Sequence, residues 1–397
     1  MTIGGCDVAE LTREYGTPVQ IVDLADIDAR AREYVGALAA IDRPARAVFA
    51  TKALPLVAVI ARIGRLGVGA DVTTSGELAM AQAAGIHPSR MVNHGNGRSP
   101  DELAEAARVG VGLVVIDGPM DVDHLDAVAS RPVDVLVRVT PDVPPATHLS
   151  MATAHRGQKF GVTIDEANGV FRAVERSRRL RLRGIHFHVG SQITSLDPFV
   201  DAVERLGVLG SFEVLDAGGG LGVPLTGDAR SPSMADHVRA IDHAMAAAGF
   251  AAGTELVVEP GRSLVARAGV TAYSVRTVKD TAGVRFVAVD GGTSDDIEAV
   301  IGLRRAAPFA LAPGAQTPTT IVGMHCDSGD VLARDVAFAA VAPGSLVIMP
   351  NTGAYTFALA NNYNCTPRPA VVAVEDGTTR SLVARESIED LLGRQRY

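Results

Sequence analysis

The stretch VFATKALPL, residues 48–56, decides how this chain is read. It opens as an apolar strand and then sets Lys52 at the end of the run, an amine at the mouth of a buried element. A doubly wound nucleotide-binding sheet carries a glycine-rich turn after its first strand, and TKALPL stands in that place instead. Working outward, the strand candidates are AVFATK, VGADVT, RMVNH, LVVID, VDVLVRVT, RGIHFHVGS, FEVLDAGGG and ELVVEPGR. Each but the last is followed by helical spacing, as in GELAMAQAAG, PDELAEAARVG or FVDAVERLG. This α/β alternation predicts a closed (β/α)8 TIM-like barrel, with an open doubly wound sheet as the alternative.

Past Arg262 the helical periodicity fades, and VTAYSVRTV, VRFVAVDGG, TTIVGMHC, GSLVIMP and AVVAVEDGTTRSLVAR follow with turn residues between them. They predict a mostly β C-terminal domain, with a hairpin at EDGT. The strand TPVQIVDL precedes the repeats and is free to pair with that domain. The expected division is therefore a barrel over 28–265 and a β-rich domain from 1–27 and 266–397.

Composition narrows the function. The 397 residues are 47% hydrophobic and 21% charged, which is a globular composition. Lys plus Arg number 37 and Asp plus Glu 45, a net charge of −8 without a long basic run, so neither nucleic acid nor a membrane surface is an expected partner. A small molecule is. Cys6, Cys326 and Cys365 are odd in number and far apart, which suits a reducing compartment. MTIGGCDVAELTREYG has charges where a signal peptide needs an apolar core, and the expected location is cytoplasmic.

In a barrel the active site lies at the C-terminal rim of the strands. Lys52, Asp71, His94, Asn96, His188, Ser191, Gly218 to Gly220, Glu259 and Arg262 all fall at predicted rims. A lysine sheltered in an apolar mouth is available as the neutral amine and can form an imine with an aldehyde; a snorkelling structural lysine is the alternative. DAGGGLG lets backbone N–H groups approach a phosphate, or is simply a tight turn, and Arg262 can add a charge-assisted contact. Glu259 can keep a pyridine nitrogen protonated, or pair with Arg262. His186 and His188 share a strand face, so one can lie over a flat ring. Together these describe pyridoxal 5′-phosphate. No HxxxH or CxxC pair occurs, so no metal is expected.

At these residues the chain resembles the fold-type III pyridoxal-phosphate decarboxylases, which include the diaminopimelate, ornithine and arginine enzymes, and it is most similar to the diaminopimelate branch. The shared motifs include YGTPVQIVD, FATKA, GADVTTSGEL, THLSMATAHRGQKFGV, GIHFHVGSQI, DAGGGLG, EPGRSLVA, HCDSGDVLARD and NTGAYTFALANNYN. The resemblance implies an alanine racemase-like barrel and a carboxy-lyase in which Lys52 is the Schiff-base lysine and His188 stacks on the ring. It places Asp71, Ser191, Gly218, Gly219, Gly220, Gly261, Arg262 and Tyr355 around the cofactor, with Glu259 at the pyridine nitrogen. Cys326 would act in reprotonation from the partner subunit of a homodimer with shared sites; the alternative for Cys326 is a buried small hydrophobe.

The departures from the family bear on the substrate. Diaminopimelate decarboxylases carry an Arg and a Tyr where GGTSDDIEAVIGL has Glu298 and Gly302, and a Glu where Asp327 stands. A carboxylate in place of a cation reverses the local field. The expected substrate is therefore not free meso-diaminopimelate but an amine-ended amino acid bound by Asp327, Glu298 and Tyr363, or an aminoacyl group on a carrier protein docking near GLRRAAP. The alternatives are diaminopimelate decarboxylation in lysine biosynthesis, an amino-acid racemase, and a non-catalytic decarboxylase-like binding protein.

Overall fold

The computed structural model describes residues 1–144, 157–225, 230–304, 307–311 and 314–396. Two units divide the chain: Asp28–Val223 with Arg230–Leu264, and Met1–Ile27 with Pro224–Ala229 and Val265–Tyr397.

The first unit is the closed parallel barrel. Its strands are Ala45–Ala50, Gly69–Val72, Met91–Asn93, Leu113–Ile116, Val133–Thr140, Leu180–His186, Val214–Asp216 and Glu255–Val258. The ring closes because the eighth strand pairs in parallel with the first, Val257 opposite Arg46, and the sixth pairs with both the fifth and the seventh. Strands covered on both faces read as continuous apolar runs, and the second and fourth are buried at every position. Val48, Val92, Val115, Leu136, Val214 and Val257 form one interior cluster, each contributing about 1.5–3 kcal/mol by leaving water.

Local signals set the crossover helices. Ser99 and Glu102 close a capping box on Pro100–Val109, with Pro100 in the first turn and Gly110 at φ 81° ending it. Thr163 and Glu166 do the same for Ile164–Arg176. Among the described residues no helix is long and apolar enough to cross a membrane.

The helix Met234–Ala247 buries His237 edge-on against Phe199, ring centroids 4.4 Å apart. Neither ring nitrogen has a hydrogen-bond partner among the described residues, and burial pushes the imidazole down to about 4. The folded form therefore stays neutral where the unfolded chain, with an ordinary value near 6.5, is already protonated. Stability is lost as pH falls from about 6.5 toward 4, by about 2 kcal/mol at pH 5. Denaturant titrations at pH 7 and pH 5 should show this drop in the wild type and lose most of it in His237→Phe.

The second unit is a sheet ordered Val331–Ala339, Gln316–Val322, Val284–Val289, Gly269–Thr281, Val19–Asp23, Ala370–Glu375, Thr378–Val383, with Leu346–Pro350 also on Gly269–Thr281. The early strand Val19–Asp23 lies antiparallel to Gly269–Thr281 and parallel to Ala370–Glu375. The EDGT hairpin forms, with Asp376 at φ 48° and Gly377 at φ 73°, the paired left-handed residues that a two-residue turn needs. Val331–Ala339 was not among the expected strands, because Arg334 and Asp335 interrupt its apolar pattern.

Candidate active site

Lys52 sits in a single 3-10 turn, Thr51–Ala53, just past the first barrel strand. Thr51 holds that turn to the second strand by donating from Oγ1 to the Asp71 carbonyl at 2.7 Å. The expected apolar shelter is absent. The Lys52 side chain is 50% exposed, its Nζ is 3.9 Å from Asp71 Oδ2, and the adjoining cavity of about 320 Å³ is lined by Lys52, His94, Arg138, His186, His188 and Glu259 among others. The amine thus faces a carboxylate and open cavity in place of the apolar surface expected. Burial pushes Asp71 up to about 6, with His94 and Lys52 opposing that rise.

Glu259 follows the eighth strand and is buried. Its Oε1 lies 2.5 Å from His94 Nε2 and its Oε2 3.5 Å from His186 Nε2. Burial alone would raise its value, but His94 and His186 outweigh burial and hold the carboxyl well below the ordinary range. Burial pushes His186 itself down to about 3, with Glu259 opposing that fall. Arg262 directs Nε toward Ser191 Oγ at 3.4 Å.

The glycine turn joins these groups. Gly218 and Gly220 have φ of 62° and 115°, and a Cβ on Gly219 would lie 2.2 Å from the Glu259 carbonyl oxygen. Only glycine fits there. Gly219 N–H donates to His188 Nδ1 at 3.2 Å, and burial, then Lys52 and Arg138, lower the His188 value well below normal. A neutral ring with its Nδ1 occupied is suited to stacking. Gly261 and Arg262 follow in sequence, both buried.

These residues fit pyridoxal 5′-phosphate. The His94 nitrogen is close to Glu259 Oε1 but off the line of a hydrogen bond, so Oε1 is buried without a donor among the described residues, as an acceptor for a protonated pyridine nitrogen would be. The side-chain-free turn at 218–220 supplies backbone that an anion can approach.

Sequence reasoning missed Arg138 and Phe160. The Arg138 guanidinium carbon is 4.3 Å from the Phe160 ring centroid, and both residues line the cavity. A single charge inside the apolar run VLVRVT was the available signal. His94 stands at the rim as expected, and its contact with Glu259 is a product of barrel closure that spacing does not show.

The other expected residues lie in the second unit. Cys326 is exposed, which removes the reading of a buried hydrophobe, and its N–H donates to Asn364 Oδ1 at 3.2 Å. Asp327 Oδ2 accepts from Tyr363 Oη at 3.3 Å. Asp330 fixes the neighbouring loop, its carboxylate accepting from the N–H groups of Thr293 and His325. Tyr355 is half-buried at φ 61°. Glu298 is buried on the short helix Ile297–Val300, and Gly302 follows at φ 76°. The docking patch expected at GLRRAAP is corrected: the Arg304 guanidinium is buried on Asp296, and Arg305 lies outside the described residues. Residues 147–156 of the THLSMATAHRGQKFGV motif also lie outside them.

The model of the pyridoxal-dependent decarboxylases, pyridoxal-binding domain, matches residues 24–266. A diaminopimelate decarboxylase of Actinosynnema pretiosum subsp. auranticum is 44% identical over 411 residues, covering 100% of this chain and 92% of that protein. That of Mycobacterium tuberculosis is 37% identical over 98% of this chain and 93% of its own. The crystal structure of the Helicobacter pylori diaminopimelate decarboxylase complexed with L-lysine is similar at a TM-score of 0.91 and 28% identity, covering 98% of each chain.

These full-length relatives overturn the expectation of an amine-ended or carrier-tethered substrate, which rested on Glu298, Gly302 and Asp327. The physical error lay in treating Glu298 as an uncompensated charge. Glu298 is buried and its main-chain carbonyl accepts the Arg304 N–H at 3.0 Å, while the Arg304 guanidinium pairs with Asp296, so the field at this loop is set by several groups together and not by position 298 alone. The racemase and non-catalytic alternatives fall with the same similarities. With one match running through the barrel and others continuing to both ends of the chain, this protein belongs to the pyridoxal-dependent amino-acid decarboxylases, carboxy-lyases that use pyridoxal 5′-phosphate.

Proposed function

We propose that the chain removes one carboxylate of diaminopimelate as CO2 and leaves lysine. The 44% identity with a diaminopimelate decarboxylase along the whole chain carries this reading. When bound, the cofactor supplies an electron-accepting ring for the pair released as the carbon–carboxylate bond breaks.

The chain's own residues do the rest. Lys52 is the covalent attachment point, with Asp71 facing its amine. Glu259 keeps negative charge at the pyridine nitrogen, and neutral His188 covers the ring face. Gly218, Gly219, Gly220, Ser191, Gly261 and Arg262 hold the phosphate. Cys326 of the partner subunit in a homodimer gives its thiol proton to the carbon that lost CO2 and regains one from solvent. Asp327, with the Tyr363 hydroxyl on its carboxylate, receives the far ammonium of the substrate, and Glu298 and Gly302 border that pocket. Purified protein with pyridoxal 5′-phosphate and meso-diaminopimelate should release CO2 and lysine in equal amounts. CO2 from ornithine or lysine and none from meso-diaminopimelate would overturn the reading.

A further inference from the structure

Asp216 ends the seventh barrel strand with no exposed surface, and no role above uses it. Its Oδ1 accepts Gly218 N–H at 2.9 Å, while its Oδ2 is buried and meets no donor among the described residues. Gly218 in turn accepts the Glu259 N–H at 2.8 Å through its carbonyl, and Gly219 donates to His188. One carboxyl therefore holds the turn that both the Glu259 backbone and the His188 ring lean on. The Glu259 main chain is thereby fixed next to the Asp216 turn, and the Glu259 carboxylate raises the Asp216 carboxyl value.

An ionised carboxylate only accepts, and two adjacent buried carboxylates do not both stay ionised. We propose that Asp216 is a neutral carboxylic acid in the folded enzyme, a positioning residue whose Oδ1 holds the Gly218 turn and whose O–H donates to Glu259. This rests on Glu259 being the pyridine-nitrogen carboxylate. Its donation occupies one lone pair of Glu259 and leaves the others for the cofactor.

The surroundings assign the proton to Asp216. Burial and then Glu259 raise its value well above the ordinary range, and Asp71 on the second strand adds to the rise. Glu259 is held low by His94 and His186. Arg138 from the fifth strand and Lys52 from the first supply the nearby positive charge. With Asp216 neutral, the carboxylates of Asp71 and Glu259 face those two cations; ionised, it would add a third buried negative charge.

Apo-protein melting against pH tests the proposal in wild type, Asp216→Asn and Asp216→Ala. An acid whose folded value is raised must take up a proton on folding above its unfolded value near 3.9, so wild-type stability falls as pH rises through the folded value. Asparagine accepts from Gly218 and donates to Glu259 without that proton. Asp216→Asn should therefore melt a few degrees above the wild type at pH 8, with the gap closing toward pH 4. In pyridoxal-phosphate titrations of the apo-proteins, Asp216→Ala should bind about tenfold more weakly and Asp216→Asn should recover most of that loss. An Asp216→Asn protein that melts below the wild type at pH 8, or binds the cofactor as weakly as Asp216→Ala, overturns the proposal. Should Asp216→Ala not fold, the Asp216→Asn melting curve decides alone. Glu259→Gln binding the cofactor as tightly as the wild type would instead sink the assignment of Glu259.

Discussion

Lys52→Ala is expected to lose at least about a thousandfold in kcat and to retain no cofactor after borohydride treatment and denaturation. Lys52 stands at the mouth of the first barrel strand beside Asp71, in the cavity that also contains His188 and Glu259. The turn Thr51–Ala53 is held through its backbone and through Thr51 Oγ1, so truncating the half-exposed Lys52 side chain should leave the barrel folded. Peptide mapping of the reduced wild type should find the cofactor mass on the peptide containing Lys52. A cofactor mass on the same peptide of Lys52→Ala, or on another lysine in the wild type, would refute the assignment.

Mixing two dead variants should restore activity. If Cys326 completes the site of the partner subunit, Lys52→Ala and Cys326→Ala homodimers are each inactive, yet a hybrid dimer has one site with both residues intact. Random exchange of equal amounts makes half the dimers hybrids with one working site of two, so about a quarter of wild-type activity should return. The exposed position of Cys326, held by Asn364 rather than packed in the core, is consistent with a residue that meets another chain. Exchanged, folded dimers that recover nothing would show that Cys326 serves its own subunit or no subunit.

Much of the barrel was legible before any coordinates. The alternation of VFATK, GADV, LVVI and their kin with helical spacing is a local property, and the strand period places Lys52 and Glu259 at the ends of runs. The glycines of DAGGGLG were equally visible, although what excludes a side chain at Gly219 is the carbonyl of Glu259, forty residues later. Val331–Ala339 escapes pattern reading because Arg334 and Asp335 break its apolar run, whereas the strand of Arg138 is legible and only the direction of that one side chain, toward the cavity, is not. The substrate error was of another kind. A single position such as Glu298 does not set the field of its loop, because Asp296 and Arg304 are paired beside it around a short helical turn.

By itself the sequence determined the repeating strand–helix units, the early strand's freedom to join the later sheet, and the amine, carboxylate, imidazole and glycine turn of one cofactor chemistry. These follow from spacing along the chain, which secondary structure converts directly into direction. Charge state was decided only by the tertiary structure. That Lys52 meets Asp71, that Glu259 is flanked by His94 and His186, and that Asp216 lies behind Glu259 depend on barrel closure, which brings the ends of different strands together in a buried space. Desolvation and charge pairing act over a few ångströms, a distance that separation along the sequence does not encode.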